Sequence, residues 1–175
     1  MVDTHEVLVA FHGTTRQNAA AILEHGFRPS NPLAMVRMVA EHLRVDLSLL
    51  WDSIELEFTR ARQDLDHSFF TTDLQVAESY RLPEPMQDAF RAAHRLAGGD
   101  RRLREPWIAE QAQRLLGAGQ VLEVRLPWEI VGAHAFGRVV SLAEWREWGE
   151  PADLNSFSIP VACLEDLRPS IVSKP

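Results

Sequence analysis

The chain has 175 residues, 46% of them apolar and 25% charged. That is enough for one domain with a sizeable core, and too apolar for a disordered chain. A net charge of −7 excludes a protein whose main task is to hold a nucleic-acid backbone, so no stable nucleic-acid binding is expected. Cys163 is the single cysteine, which excludes an intramolecular disulfide and makes a structural zinc site implausible.

The opening stretch MVDTHEVLVAF has no basic n-region and too short an apolar run for a signal peptide. No stretch approaches the length of a membrane span. These features predict a soluble, cytoplasmic protein with no membrane partner. One domain over 1–175 is expected, with a helical insert at about 33–63.

In chain order, VLVAF at 7–11 reads as a short buried strand. His12-Gly13-Thr14 breaks it, and Thr14 with Gln17 forms a T-x-x-Q capping box for a helix. Ala19, Ile22 and Leu23 give that helix an apolar stripe. Gly26 is its left-handed stop, and Phe27 folds back on Ile22. His12, Gly13 and Thr14 thus stand at a junction open to a ligand.

Asn31 and Pro32 open a second helix, on which Leu33, Val36, Val39, Ala40 and Leu43 repeat at helical spacing. Asp46 caps a third, with Leu47, Leu50, Trp51, Ile54, Phe58 and Ala61 on one face. HSFFTT at 67–72 has strand composition, and Asp73 caps a short helix ended by Pro83 and Pro85. Phe69 and Phe70 are adjacent, so they point to opposite faces and at least one is core.

A helix is predicted from Met86 to Leu96, broken at Gly98-Gly99. Another carries Pro106 at its first position and closes at Gly117. QVLEVRLP alternates as a half-buried strand with Leu122, Val124 and Leu126 inward. HAFGRVV is a further strand, Ser141 caps LAEWREWG, and SFSIPV and LRPSIV close the chain as strands. Pro160 predicts an edge position or a bulge. The order is α+β, without the regular alternation of a doubly wound parallel sheet.

Three segments resemble the ADP-ribosyltransferase superfamily, in its poly(ADP-ribose) polymerase and diphtheria-toxin-like branch. Phe11-His12-Gly13-Thr14 followed by Ile22-Leu23 and Gly26-Phe27 is similar to its first motif. Ser68-Phe69-Phe70-Thr71-Thr72-Asp73 with Ala77 and Tyr80 is similar to its second. Gly119 to Leu126 is similar to its third.

The resemblance implies split antiparallel β-sheets around a cleft that holds NAD, with helical insertions. It implies that His12 bonds a ribose hydroxyl and that the Gly13 backbone pairs with the carboxamide. Thr14 adds a hydroxyl or caps its helix, and Phe70 and Tyr80 flank the nicotinamide. The family's catalytic glutamate falls at Asn155, and a small shift brings in Ser156 or Asp153. The activity implied is transfer of ADP-ribose from NAD to a protein, nucleic-acid or small-molecule acceptor, with the insert as a candidate acceptor-recognition element. Two alternatives stand beside it. One is an inactive nucleotide- or protein-binding module of the same fold. The other is an RNA 2′-phosphotransferase-like enzyme, for which Arg60, Arg62 and Arg81 would supply phosphate contacts.

Overall fold

A computed structural model describes residues 6–29, 31–54, 67–79, 82–138 and 156–172. They divide into two compact units. The first comprises residues 1–29, 66–81 and 119–175, and the second comprises 30–65 and 82–118. The helical insert therefore does not stand by itself, because 82–118 joins it in the second unit.

The first unit is built on β1 (Val7–Thr15), β2 (His67–Thr71), β3 (Gly119–Pro127), β4 (Phe136–Arg138), β5 (Ser156–Pro160) and β6 (Ser170–Ile171). All neighbours are antiparallel, in the order β4-β5-β2-β1-β3-β6. The α+β class and the antiparallel pairing agree with the sequence reading. The strands nevertheless form one connected sheet, where two small sheets were expected.

The connection at its centre is slight. β1 pairs with β3 along nine consecutive residues, and β2 pairs with β5 along five. Between β1 and β2 the only pair is Phe11↔Thr71. The sheet is thus two well-laddered halves, β4-β5-β2 and β1-β3-β6, joined by a single ladder pair.

Period-two alternation puts Leu8 and Ala10 of β1, Leu122, Val124 and Leu126 of β3, Phe70 of β2, and Phe157 and Ile159 of β5 into one core. Ala19 and Ile22 of α1 (Arg16–His25) cover it, with Phe27 beside them.

The second unit is helical. α2 (Pro32–Leu43) is capped by Asn31, whose side chain accepts from the Ala34 amide at 3.1 Å, with Pro32 in the first turn. Asp46 caps α3, helical over 47–54, by accepting from the Leu49 amide. These starts, and the buried stripe of Val36, Val39, Ala40, Leu50 and Ile54, match the expected faces. Leu33 is the exception, because it lies in the first turn and is exposed. Phe58 and Ala61 lie outside the described residues. α5 (Glu84–Leu96) and α6 (Arg104–Leu116) complete the unit, and Phe90 and Ile108 join its core. Within it Trp107 packs on Phe90 and His94.

Four expectations are corrected. The cap of α1 is Thr15, which accepts from the Asn18 amide at 3.1 Å, because pairing with β3 carries the strand four residues further than composition suggests. Pro160 closes β5 opposite His67, and β5 lies between β4 and β2, so this proline marks a strand end within the sheet. α6 begins at Arg104, two residues before Pro106. An unpredicted helix, α7 (Trp128–His134), follows β3, and β4 is correspondingly short. Ser141, Trp145 and Trp148 lie outside the described residues.

Candidate functional site

The ladder between β1 and β2 ends at Phe11↔Thr71. Beyond it β1 runs on through His12, Gly13, Thr14 and Thr15 with β3 on one side and no partner from β2 on the other. His12 is therefore a mid-strand residue. The junction it occupies is the place where the two halves of the sheet part.

The imidazole spans that parting. Its Nδ1 lies 2.8 Å from the carbonyl oxygen of Phe69 on β2. A carbonyl only accepts, so Nδ1 carries the hydrogen and, in the neutral ring, Nε2 holds the lone pair. Desolvation at its half-buried position pushes the ring's pKa below the ordinary histidine value, and the Phe69 carbonyl pulls the other way with less effect. No described residue bonds Nε2. The arrangement leaves one oriented, neutral acceptor at the end of a ladder, suited to a hydroxyl donor.

Two phenyl rings hold the imidazole. Phe27 stands edge-on to it at 5.4 Å, Phe70 lies at 5.7 Å, and the two phenyls meet each other at 5.5 Å. Phe70 is only 3% exposed and continues to Phe157 in the core. Its place is thus behind His12, as a support. The ring that β2 offers to solvent is Phe69, 49% exposed. Sequence adjacency fixed that the two rings diverge. Only the register with Phe11 tells which one is outward.

Thr14 is buried, and its hydroxyl accepts from the Asn18 side-chain amide at 2.7 Å. Its bond is local, to the helix it precedes. Gly13 is half-buried on the bare side of β1. Tyr80, Asp153 and Asn155 lie outside the described residues, as do Arg60, Arg62 and Arg81. Ser156, next to Asn155 in the chain, opens β5 opposite Thr71, with the two hydroxyls 3.5 Å apart.

Phe27 also borders a groove of about 350 Å³ lined by His25, Arg28, Pro29, Val161 and Glu165. Among the described residues, no three His, Cys, Asp or Glu side chains gather closely enough to hold a metal ion. Compared with known proteins, the chain matches no family model, no curated protein and no solved structure.

Proposed function

We propose that the chain is an ADP-ribosyltransferase that binds NAD where β1 and β2 part, cleaves its nicotinamide–ribose bond and passes ADP-ribose to an acceptor. The observation that carries the reading is His12, fixed through Nδ1 on the Phe69 carbonyl with Nε2 left to accept from a ribose hydroxyl. Gly13 follows on the bare edge of β1, where a carboxamide can find both a donor and an acceptor with no Cβ in the way. Arg28, in the groove beyond Phe27, can pair with a phosphate.

In this reading the split sheet is the NAD cleft. Asp153 or Asn155, just before β5, orients the ribose, and Tyr80, just after α4 (Leu74–Ser79), supplies the stacking face. A carboxylate there favours the developing oxocarbenium charge. Asparagine supplies only a hydrogen bond. The helical insert at about 33–63 is the candidate acceptor-recognition element.

The test is a calorimetric titration of NAD into the wild type and His12→Ala. The expected result is binding that weakens about tenfold or more in the variant, the scale of a lost oriented hydrogen bond near 1.4 kcal/mol. Nicotinamide release should then fall roughly 100- to 1000-fold in Asp153→Asn if its carboxylate is the stabiliser. It should fall in Asn155→Ala instead if the amide holds that place. Binding without nicotinamide release would favour the inactive nucleotide-binding module. No binding by folded protein would end the NAD reading.

A further inference from the structure

Residues 95–104, RLAGGDRRLR, join α5 to α6 and hold four arginines against one aspartate. Their net charge of +3 sits on a chain of −7, so all other residues together carry −10. A basic stretch on an acidic chain is a local positive field that attracts anionic groups.

The stretch is a built turn. The Gly98 amide bonds the Arg95 carbonyl and the Gly99 amide bonds the His94 carbonyl, each at 2.9 Å. Gly99 lies over the His94 ring so closely that a Cβ would strike it, and His94 is buried against Trp107. Asp100 then accepts from the Arg102 amide at 2.9 Å and starts a single 3₁₀ turn over Arg101–Leu103. The backbone that carries the arginines is thus already ordered, which lowers the entropy cost of docking.

Two of the four guanidinium groups are engaged. Arg95 bonds the Ser53 carbonyl, and Arg104 pairs with Glu105 at 2.9 Å. Arg101 and Arg102 are exposed, and among the described residues neither side chain has a hydrogen bond or an ion pair. Beside them stand Leu103, 62% exposed, and Leu96, 44% exposed.

We propose that this turn docks a short acidic segment of a partner protein, whose carboxylates meet Arg101 and Arg102 and whose apolar side chains cover Leu103 and Leu96. Arginine forks match carboxylates through paired, parallel hydrogen bonds. The exposed leucines select among polyanions. A phosphate backbone has nothing apolar to lay over them, whereas a peptide carries both kinds of side chain. The −10 on the rest of the chain repels an extended polyanion or an anionic membrane far more than it repels a few carboxylates. No residue of the turn belongs to the parting of β1 and β2, so the proposal stands without the NAD reading.

The experiment is a fluorescence-anisotropy titration of the full chain into a short labelled peptide in which glutamates alternate with leucines. Beside it run the same peptide with serine for leucine, a single-stranded RNA of equal charge, and vesicles containing phosphatidylserine. The glutamate–leucine peptide should bind saturably below about 1 mM. Raising the salt from about 0.05 to about 0.5 M should weaken it roughly tenfold. Arg101→Ser combined with Arg102→Ser should also weaken it about tenfold. Leu103→Ser should cost about fivefold with this peptide and nothing with the glutamate–serine peptide, because only the first can cover the leucine. All three side chains are exposed, so the melting temperatures should stay at the wild-type value. His12→Ala should bind the peptide like wild type.

The proposal is overturned if the peptide shows no saturation up to about 1 mM, or if the double arginine variant binds it like wild type. It is overturned equally if the RNA or the vesicles bind more tightly than the peptide, or if Leu103→Ser weakens both peptides alike. Self-association that the arginine variant abolishes would assign the turn to a second copy of the chain and overturn it too.

Discussion

At the scale of single residues, His12 ties protonation to folding. Burial lowers its pKa from 6.5, so between that value and the depressed one the unfolded chain binds a proton that the folded chain does not. Stability contributed by the neutral ring is complete above pH 6.5 and is lost as the pH falls through this window. The slope from one group is at most about 1.4 kcal/mol per pH unit. Denaturant melts at pH 7.5 and 5.5 should show the wild type losing more stability on acidification than His12→Asn. NAD binding should weaken only lower, as the pH falls through the depressed value, because a protonated Nε2 cannot accept. The neighbouring phenylalanines separate as sharply. Phe70→Ala should cost about 3–5 kcal/mol, as a buried ring does, whereas Phe69→Ala should change stability by less than about 1 kcal/mol. That contrast was half legible in the sequence. Adjacent strand residues must diverge, but the inward one is decided by the Phe11↔Thr71 pair, which no local pattern encodes.

At the scale of elements, caps and glycines were the most readable signals, because their chemistry is local. Asn31, Asp46 and Asp73 each accept from amides two or three residues on, as their positions before helices predict. Thr15 took the place expected for Thr14 because a long-range ladder, invisible to a capping pattern, extended β1. Thermal melts should therefore show Thr15→Ala costing about 1 kcal/mol and Gln17→Ala almost nothing. Gly137 is different, since its role is set by a neighbouring strand. Its φ is +122°, and a Cβ there would lie 2.7 Å from the Ser156 carbonyl and 3.1 Å from the Phe157 Cα. Gly137→Ala should thus loosen β4 from β5, with faster amide exchange in both strands and lower overall stability. α7 escaped the sequence reading because Gly132 interrupts a seven-residue helix that shows too few turns for a period.

At the scale of the molecule, the two hydrophobic clusters share no residue. One gathers around Leu122, Leu126 and Ile159, the other around Phe90, Leu50 and Val39. Phe90→Ala should accordingly speed amide exchange in α2, α5 and α6 by more than in β1 and β3. Uniform acceleration would show the units to open together. The helical stripes of the second unit were legible because 3.6-residue periodicity is written locally. Its assembly from two separate stretches was not, since nothing in either stretch names its partner.

The ladder of β1 has a consequence for how the protein is made. Val7 pairs with Pro127 and Thr15 with Gly119, partners 120 and 104 positions downstream. At about 5–20 residues per second, a ribosome needs roughly 5–25 s to deliver those partners. Through that interval VLVAF lacks its long ladder, with only the Phe11↔Thr71 pair available sooner, and is apolar and open along its edge. Sheet formation also waits on closing a loop of about a hundred residues, which slows folding relative to the locally wired helices. The second unit's helices can begin to form during synthesis, and the strand made first is among the last to find its place.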